Sequence, residues 1–341
     1  MYVLLLQARE PISYGEESVG IKTLIKKVSI LLPERHEIIE VPVIFGNGVR
    51  GVLRDVLAYT FLNKVAEVAK DKNQSVEVDA RLLLLMLTGG VLRRREEAPI
   101  TAKEIDALKE KVKLLPPLNI MGFAIANVMV PSKIKVSTFY PICSETYGLV
   151  EDLINKIKND LKINIDKFKE IPLKKLVSEI QMMHKDDVSR LVNVLPQDIK
   201  VSNVDKIDTM RSTSLGVSEG EGSEKEGARE REEIRLQALF QREYVLPGTL
   251  YIGYISEIVP LTRHETELLK LAIENISGLG GAVTRGFGAF RMLYSDFKRI
   301  HNKEGDSELK RFIGDNFNAI LNILKTNPEE WLDTKTRVES R

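Results

Sequence analysis

The chain has 341 residues, with 50 Lys plus Arg against 49 Asp plus Glu and a hydrophobic fraction of 43%. That is the make-up of a globular protein able to bury a core, and the net charge of +1 excludes binding through bulk charge, so a polyanion must be met by a local cluster of cations. Cys143, the single cysteine, excludes an intrachain disulfide and a cysteine-based metal cage, which fits a reducing, cytoplasmic setting.

The opening apolar stretch runs directly into Gln7-Ala8-Arg9-Glu10, so residues 2–9 read as a buried strand and not as a signal peptide. Residues 11–20 read as a loop, 21–32 as one or two strands, and 37–44 as another strand after the turn at 33–36. Val49, Val52, Leu53, Val56, Leu57 and Phe61 then recur at helical spacing and predict a helix over 49–70. A second helix, 79–88, stops at Gly89-Gly90. Its apolar run 82–87 is too short to span a bilayer, so no membrane partner is expected. A third begins at Thr101 with Glu104 completing a capping box, and Pro116-Pro117 lies beyond its end. Residues 121–130 and 133–142 read as strands joined at Pro131-Ser132. From 147 to about 235 the pattern turns Lys-rich and weakly helical, including 150–161, 172–183 and 201–209, with a polar, acidic loop over 218–233. Strand 249–259, a helix from Thr262 to 276, a glycine loop, strand 289–294 and helices near 306–325 and 328–333 complete the chain. Strands alternating with helices at both ends predict an α+β core of β-α-β units interrupted by a large excursion.

Two glycine-flanked segments carry the chemistry. In Phe45-Gly46-Asn47-Gly48-Val49-Arg50-Gly51-Val52-Leu53-Arg54 a strand passes into a helix, and the N–H groups and dipole of a helix start suit a phosphate. Asn47 is expected to cap that helix, Gly46 and Gly48 to admit a ligand close to the backbone, and Arg50 and Arg54, four apart, to share a face. The Gly-Lys-Ser/Thr ending of a nucleotide-binding P-loop is missing, and a plain cap with two solvated arginines would use the same residues. The second segment, 278–288, follows a helix and precedes a strand, the reverse of a dinucleotide fingerprint. Its glycines, with Gly280 and Gly281 among them, permit positive φ and close approach of a nucleic-acid backbone, and Arg285 would contact phosphate or stack on a base. A tight helix-to-strand connection is the structural alternative. Arg93, Arg94 and Arg95 form a basic triplet partly neutralised by Glu96-Glu97. His184 and Lys185, with Arg211 further on, are better placed as RNA contacts than as metal ligands, since Asp186-Asp187 lacks a second acidic or His cluster. No metal, cofactor or catalytic triad emerges.

The segment 41–54 resembles a segment of CRISPR-associated RAMP proteins, and Gly280-Gly-Ala-Val-Thr-Arg-Gly-Phe-Gly288 resembles their C-terminal glycine-rich loop, with the two in the family's order. About 25 residues carry the motifs directly, and element order extends the match to 1–145 and 242–295. Within the superfamily the chain is similar to the backbone subunit that polymerises along CRISPR guide RNA, with subtype open among type IV-like, type I-D-like and divergent type III. The resemblance implies an RRM-like (ferredoxin-like) palm in 1–146 and 242–300, an inserted thumb and lid in 147–241, and a C-terminal helical segment in 301–341. It implies that Asn47, Gly48, Arg50, Arg54, Gly280, Gly281 and Arg285 hold RNA. Its partners would be guide RNA, target nucleic acid by base pairing, copies of the chain and other effector subunits. In target-cleaving relatives an Asp in the loop after the first strand cuts the target. Here that loop holds Glu16 and Glu17 but no Asp, so a non-catalytic binding subunit is expected. A metal-independent RNA-processing endonuclease using Tyr14, His36 or His184, and a protein-only scaffold, are the competing readings.

Overall fold

The computed structural model describes residues 1–19, 22–32, 36–90, 102–125, 128–184, 238–280, 285–299 and 307–332, and all structural statements concern these. In chain order the strands are β1 (Tyr2–Ala8), β2 (Gly15–Val19), β3 (Lys22–Ile25), β4 (Lys27–Leu32), β5 (Glu37–Pro42), β6 (Phe123–Ile125), β7 (Val128–Val130), β8 (Ile134–Val136), β9 (Tyr140–Pro141), β10 (Val177–His184), β11 (Ala238–Val245), β12 (Leu250–Glu257) and β13 (Phe290–Ser295). The helices are α1 (Gly46–Asp71), α2 (Ala80–Thr88), α3 (Ala102–Lys113), α4 (Pro116–Met121), α5 (Tyr147–Ile157), α6 (Arg263–Asn275), α7 (Glu308–Asp315) and α8 (Phe317–Leu324).

The central sheet runs β13-β1-β12-β8, with β9 also on β12 and the β1 pairings antiparallel. Taken with α1 after β1 and α6 after β12, this is the βαββαβ order of a ferredoxin-like palm, which is the expected fold. The pleat explains how the sheet is covered. Leu4, Leu6, Ala8, Tyr251 and Ile255 join one core with Val49, Leu53, Leu57 and Phe61 of α1 and Leu268, Leu269 and Ile273 of α6. The alternate residues Val3, Leu5, Leu250, Ile252 and Tyr294 join a second core with Tyr147, Val150, Ile154 and Ile157 of α5. The sheet face on which RRM domains stack bases is therefore occupied by a helix here.

Several expectations change. Residues 172–183 were expected to be helical. A short 3-10 turn at Leu173–Lys175 instead leads into β10, which pairs antiparallel with β11 from Val177↔Val245 to His184↔Ala238. Eight consecutive cross-strand pairs outweigh weak helical amphipathicity. β11 in turn pairs in parallel with β3, and β3 pairs antiparallel with β2, so the loop expected at 11–20 contains a strand and the excursion shares a sheet with the first part of the chain. Pro116-Pro117 lies beyond the end of α3, as expected, and opens a further short helix, α4, where a proline at the first helical position loses no intrahelical bond. The strand expected at 121–130 is the hairpin β6–β7, and the helix expected near 306–325 breaks at Asn316 into α7 and α8. Asp79 caps α2 and Gly89 ends it at φ +77°, as the sequence suggests. Thr262 and Glu265 close a full capping box on α6.

Candidate nucleic-acid interface

The two glycine segments meet through residues 9–14. Gly288 donates its N–H to the Pro11 carbonyl, and Arg9 and Glu10 donate theirs to the Ala289 carbonyl. These bonds hang the glycine loop on the end of β1. The next residue but two, Tyr14, reaches the other segment. Its ring packs against both glycines: a Cβ on Gly48 would be pressed to 2.9 Å from the ring, and one on Gly280 would stand in ordinary contact with it at 3.5 Å. Gly280 also has φ +104° and would press its Cβ to 3.0 Å from the Ser13 carbonyl oxygen. Glycine is thus required at both positions for different reasons, ring contact at Gly48 and backbone conformation at Gly280. The Tyr14 hydroxyl is buried with no hydrogen-bond partner among the described residues, and burial pushes its pKa well above the usual tyrosine value.

The start of α1 lies in this junction. Gly46 is pressed onto β8, with a Cβ there 2.4 Å from the Val136 carbonyl oxygen. The helix begins three residues before the expected Val49, and its N-cap is Phe45, which offers no side-chain cap. Asn47 was expected to be the cap. It lies inside the first turn and is exposed, because the Gly46 contact with β8 draws the helix start upstream. No acidic residue occupies that turn, so its positive dipole end is not neutralised locally. Lys26 donates its backbone N–H to the Tyr14 carbonyl at 2.7 Å and holds its ammonium 5.1 Å from the centre of the Phe45 ring. On the other side Phe287, buried in the glycine loop, carries the Arg242 guanidinium 5.6 Å over its ring and meets Tyr244 edge to face. Arg285 beside it is exposed.

Arg50 and Arg54 are not the solvated pair of the sequence reading. Arg50 donates to the Met121 carbonyl at 3.2 Å, and Arg54 donates to the Gly122 and Met121 carbonyls at 3.1 and 3.4 Å. Both cations are half-buried against the last carbonyls of α4, where the helix dipole favours positive charge. Burial lowers both pKa values, and for Arg54 the neighbouring Arg50 charge adds to the effect. Each guanidinium retains N–H groups beyond those bonds. His184 is the last residue of β10. Arg93, Arg94, Arg95, Lys185, Arg211 and Gly281, the Thr101 cap, and the stretches 201–209 and 218–233 lie outside the described residues.

In the sequence Tyr14 stands out only as a candidate acid or base of the nuclease alternative, and Lys26 and Arg242 do not stand out. The signals that could have found them are modest: an aromatic three residues after Pro11 at the end of a strand, and basic residues inside strands. Among the described residues no group of three or more His, Cys, Asp or Glu side chains is placed to hold a metal ion, and no helix is long and apolar enough to cross a membrane.

A ferredoxin-like palm with a glycine-rich loop between its last helix and last strand, docked beside the start of its first helix, defines the class of protein. The model of the RAMP superfamily matches residues 20–291, and the chain belongs to that superfamily. Its fold is similar to that of a chain in a solved structure titled "Type IV-B CRISPR Complex", at a TM-score of 0.51 and 13% identity, over 91% of this chain and 96% of that one. Comparison with curated proteins finds no match.

Proposed function

We propose that the protein is a CRISPR-associated RNA-binding subunit, a non-catalytic backbone protein of which successive copies line a guide RNA and present it for target pairing alongside other effector subunits. The observation that carries this reading is the Tyr14 ring held between Gly48 and Gly280, which brings both superfamily motifs to one uncapped helix start. Membership of the RAMP superfamily and the fold shared with a chain of a CRISPR complex support the effector setting.

In this reading backbone N–H groups at Gly46 and Asn47 and the cations Lys26, Arg242 and Arg285 meet RNA phosphates. Gly48 and Gly280 keep the approach open, and Arg50 and Arg54 fix the α1–α4 frame while offering their remaining N–H groups. The Tyr14 hydroxyl is held protonated by burial, which suits positioning and not proton abstraction.

The test is binding of single-stranded RNA by fluorescence anisotropy across a salt series. Lys26→Ala and Arg285→Ala are each expected to weaken binding regardless of base sequence and to flatten the log–log salt slope by about 0.7 per lost phosphate contact. An unchanged slope in both variants would refute the placement of the interface. Specific cleavage of CRISPR repeat RNA would overturn the non-catalytic assignment.

A further inference from the structure

Beyond RNA, a second surface has the wrong charge for nucleic acid and the right make-up for protein. β4 and β5 form a two-stranded ribbon that pairs with no other strand among the described residues. Such a ribbon is marginal alone in water and relies on what covers its faces. Its pairs Val28↔Val41 and Ile30↔Ile39 put an apolar stripe on one face. On the other face, Leu31 and Ile38 stand directly opposite one another and are 63% and 72% exposed.

At the ribbon's side, across from Leu173, Lys174 and Val177, lies a cleft of about 380 Å³. Leu32, Ile39, Pro42, Leu173 and Val177 give it apolar walls, and Glu37, Glu40 and Glu145 supply three carboxylates. None of these three forms an ion pair among the described residues. Glu145 is fixed in place by accepting the Leu173 N–H at 2.8 Å and the Ser144 hydroxyl at 2.6 Å. Of the two lysines on the lining, Lys27 is already engaged by Glu243 at 3.4 Å.

We propose that this cleft is a docking site for a protein segment that presents lysine or arginine beside aliphatic side chains. The aliphatic stem of such a residue packs on the apolar walls while its charged head reaches the carboxylates. With Lys27 paired to Glu243, the three carboxylates outnumber the one remaining lysine of the lining, Lys174, so a polyanion such as RNA is the disfavoured occupant. The site goes beyond the RNA-binding reading, and its readout is peptide binding.

The probe is a fluorescein-labelled peptide of sequence Gly-Leu-Lys-Leu-Arg-Leu-Gly, titrated with the full-length protein and compared with its counterpart in which both cations are glutamate. The basic peptide is expected to bind at least about tenfold more tightly, the scale of a charge mismatch at an interface. The double variant Glu37→Lys, Glu40→Lys is expected to abolish that preference, and Glu37→Gln, Glu40→Gln to reduce it. Both residues are exposed, so the fold should tolerate either change, and an unaltered thermal melt verifies it. Equal binding of the two peptides, no binding of the basic one, or its displacement by a uridine oligomer would each overturn the proposal.

Discussion

Arg54 is the residue on which the structural role of α1 can be separated from its proposed RNA-binding role, and Gly89 supplies the lever. The Arg54 guanidinium makes two hydrogen bonds to the carbonyls that end α4, and it passes over the backbone of Gly89 so closely that a Cβ there would lie 2.0 Å from Nη1 and 2.7 Å from Cζ. Arg54→Ala leaves the buried Gly122 carbonyl without its charged donor and the Met121 carbonyl with Arg50 alone, a loss of about 2 kcal/mol for bonds from a charged group. Gly89→Ala places a side chain at φ +77°, costing about 1 kcal/mol, and also pushes the guanidinium off its carbonyls, for a total of about 3 kcal/mol. In the double variant the clash has no target, so the combined loss should be about 3 kcal/mol and not the sum of about 5. Arg54→Lys keeps the charge without the two-pronged donor and should recover less than half of the single loss. Urea unfolding of the four proteins gives the coupling energy directly. If the two losses add to within about 0.5 kcal/mol, the guanidinium does not occupy this position in solution. Unchanged stability in Arg54→Ala would return the residue to a purely RNA-facing role.

Two further predictions concern the frame around α6. Glu265 is fully buried, accepts hydrogen bonds from Lys133 at 2.8 and 3.1 Å and from Asn119 at 2.7 Å, and completes the capping box, so Lys133→Met should cost about 3–5 kcal/mol by leaving a buried carboxylate uncompensated. A melting temperature equal to that of the unsubstituted protein would show that the pair contributes nothing. His264 stacks on Phe312 with ring centres 3.9 Å apart, and burial lowers its pKa below the usual value. The unfolded chain therefore binds this proton more readily, and the stability due to the neutral ring is complete above about pH 6.5 and lost as pH falls through the lower folded pKa. His264→Phe should flatten that acid limb in melting curves taken across the window. An equally steep limb in the variant would assign it to other groups.

Local signals in the sequence carried far. The apolar spacing of Val49, Leu53, Leu57 and Phe61 marks α1, Thr262 with Glu265 marks α6, and Asp79 with Gly89 brackets α2, because helices and caps are decided by neighbours three or four residues away. The superfamily resemblance rested on two short glycine segments, and the fold brings both to one junction around Tyr14. What the segments do locally was less legible. Asn47 looks like a cap, yet the approach of Gly46 to the Val136 carbonyl moves the helix start and strands Asn47 inside it. β10 reads as helix until β11, more than fifty residues later, supplies its ladder.

The sequence by itself determined the α+β class, the major helices and the two glycine motifs, since each follows from short-range periodicity, capping or a glycine's freedom of φ. Only the tertiary structure decided that Tyr14 locks the motifs together, that α5 closes the sheet face where an RRM stacks bases, and that Arg50 and Arg54 are tied to α4. Each depends on groups brought together from distant parts of the chain. Side-chain direction, desolvation and hydrogen-bond supply at such meetings are set by packing, which no local pattern encodes.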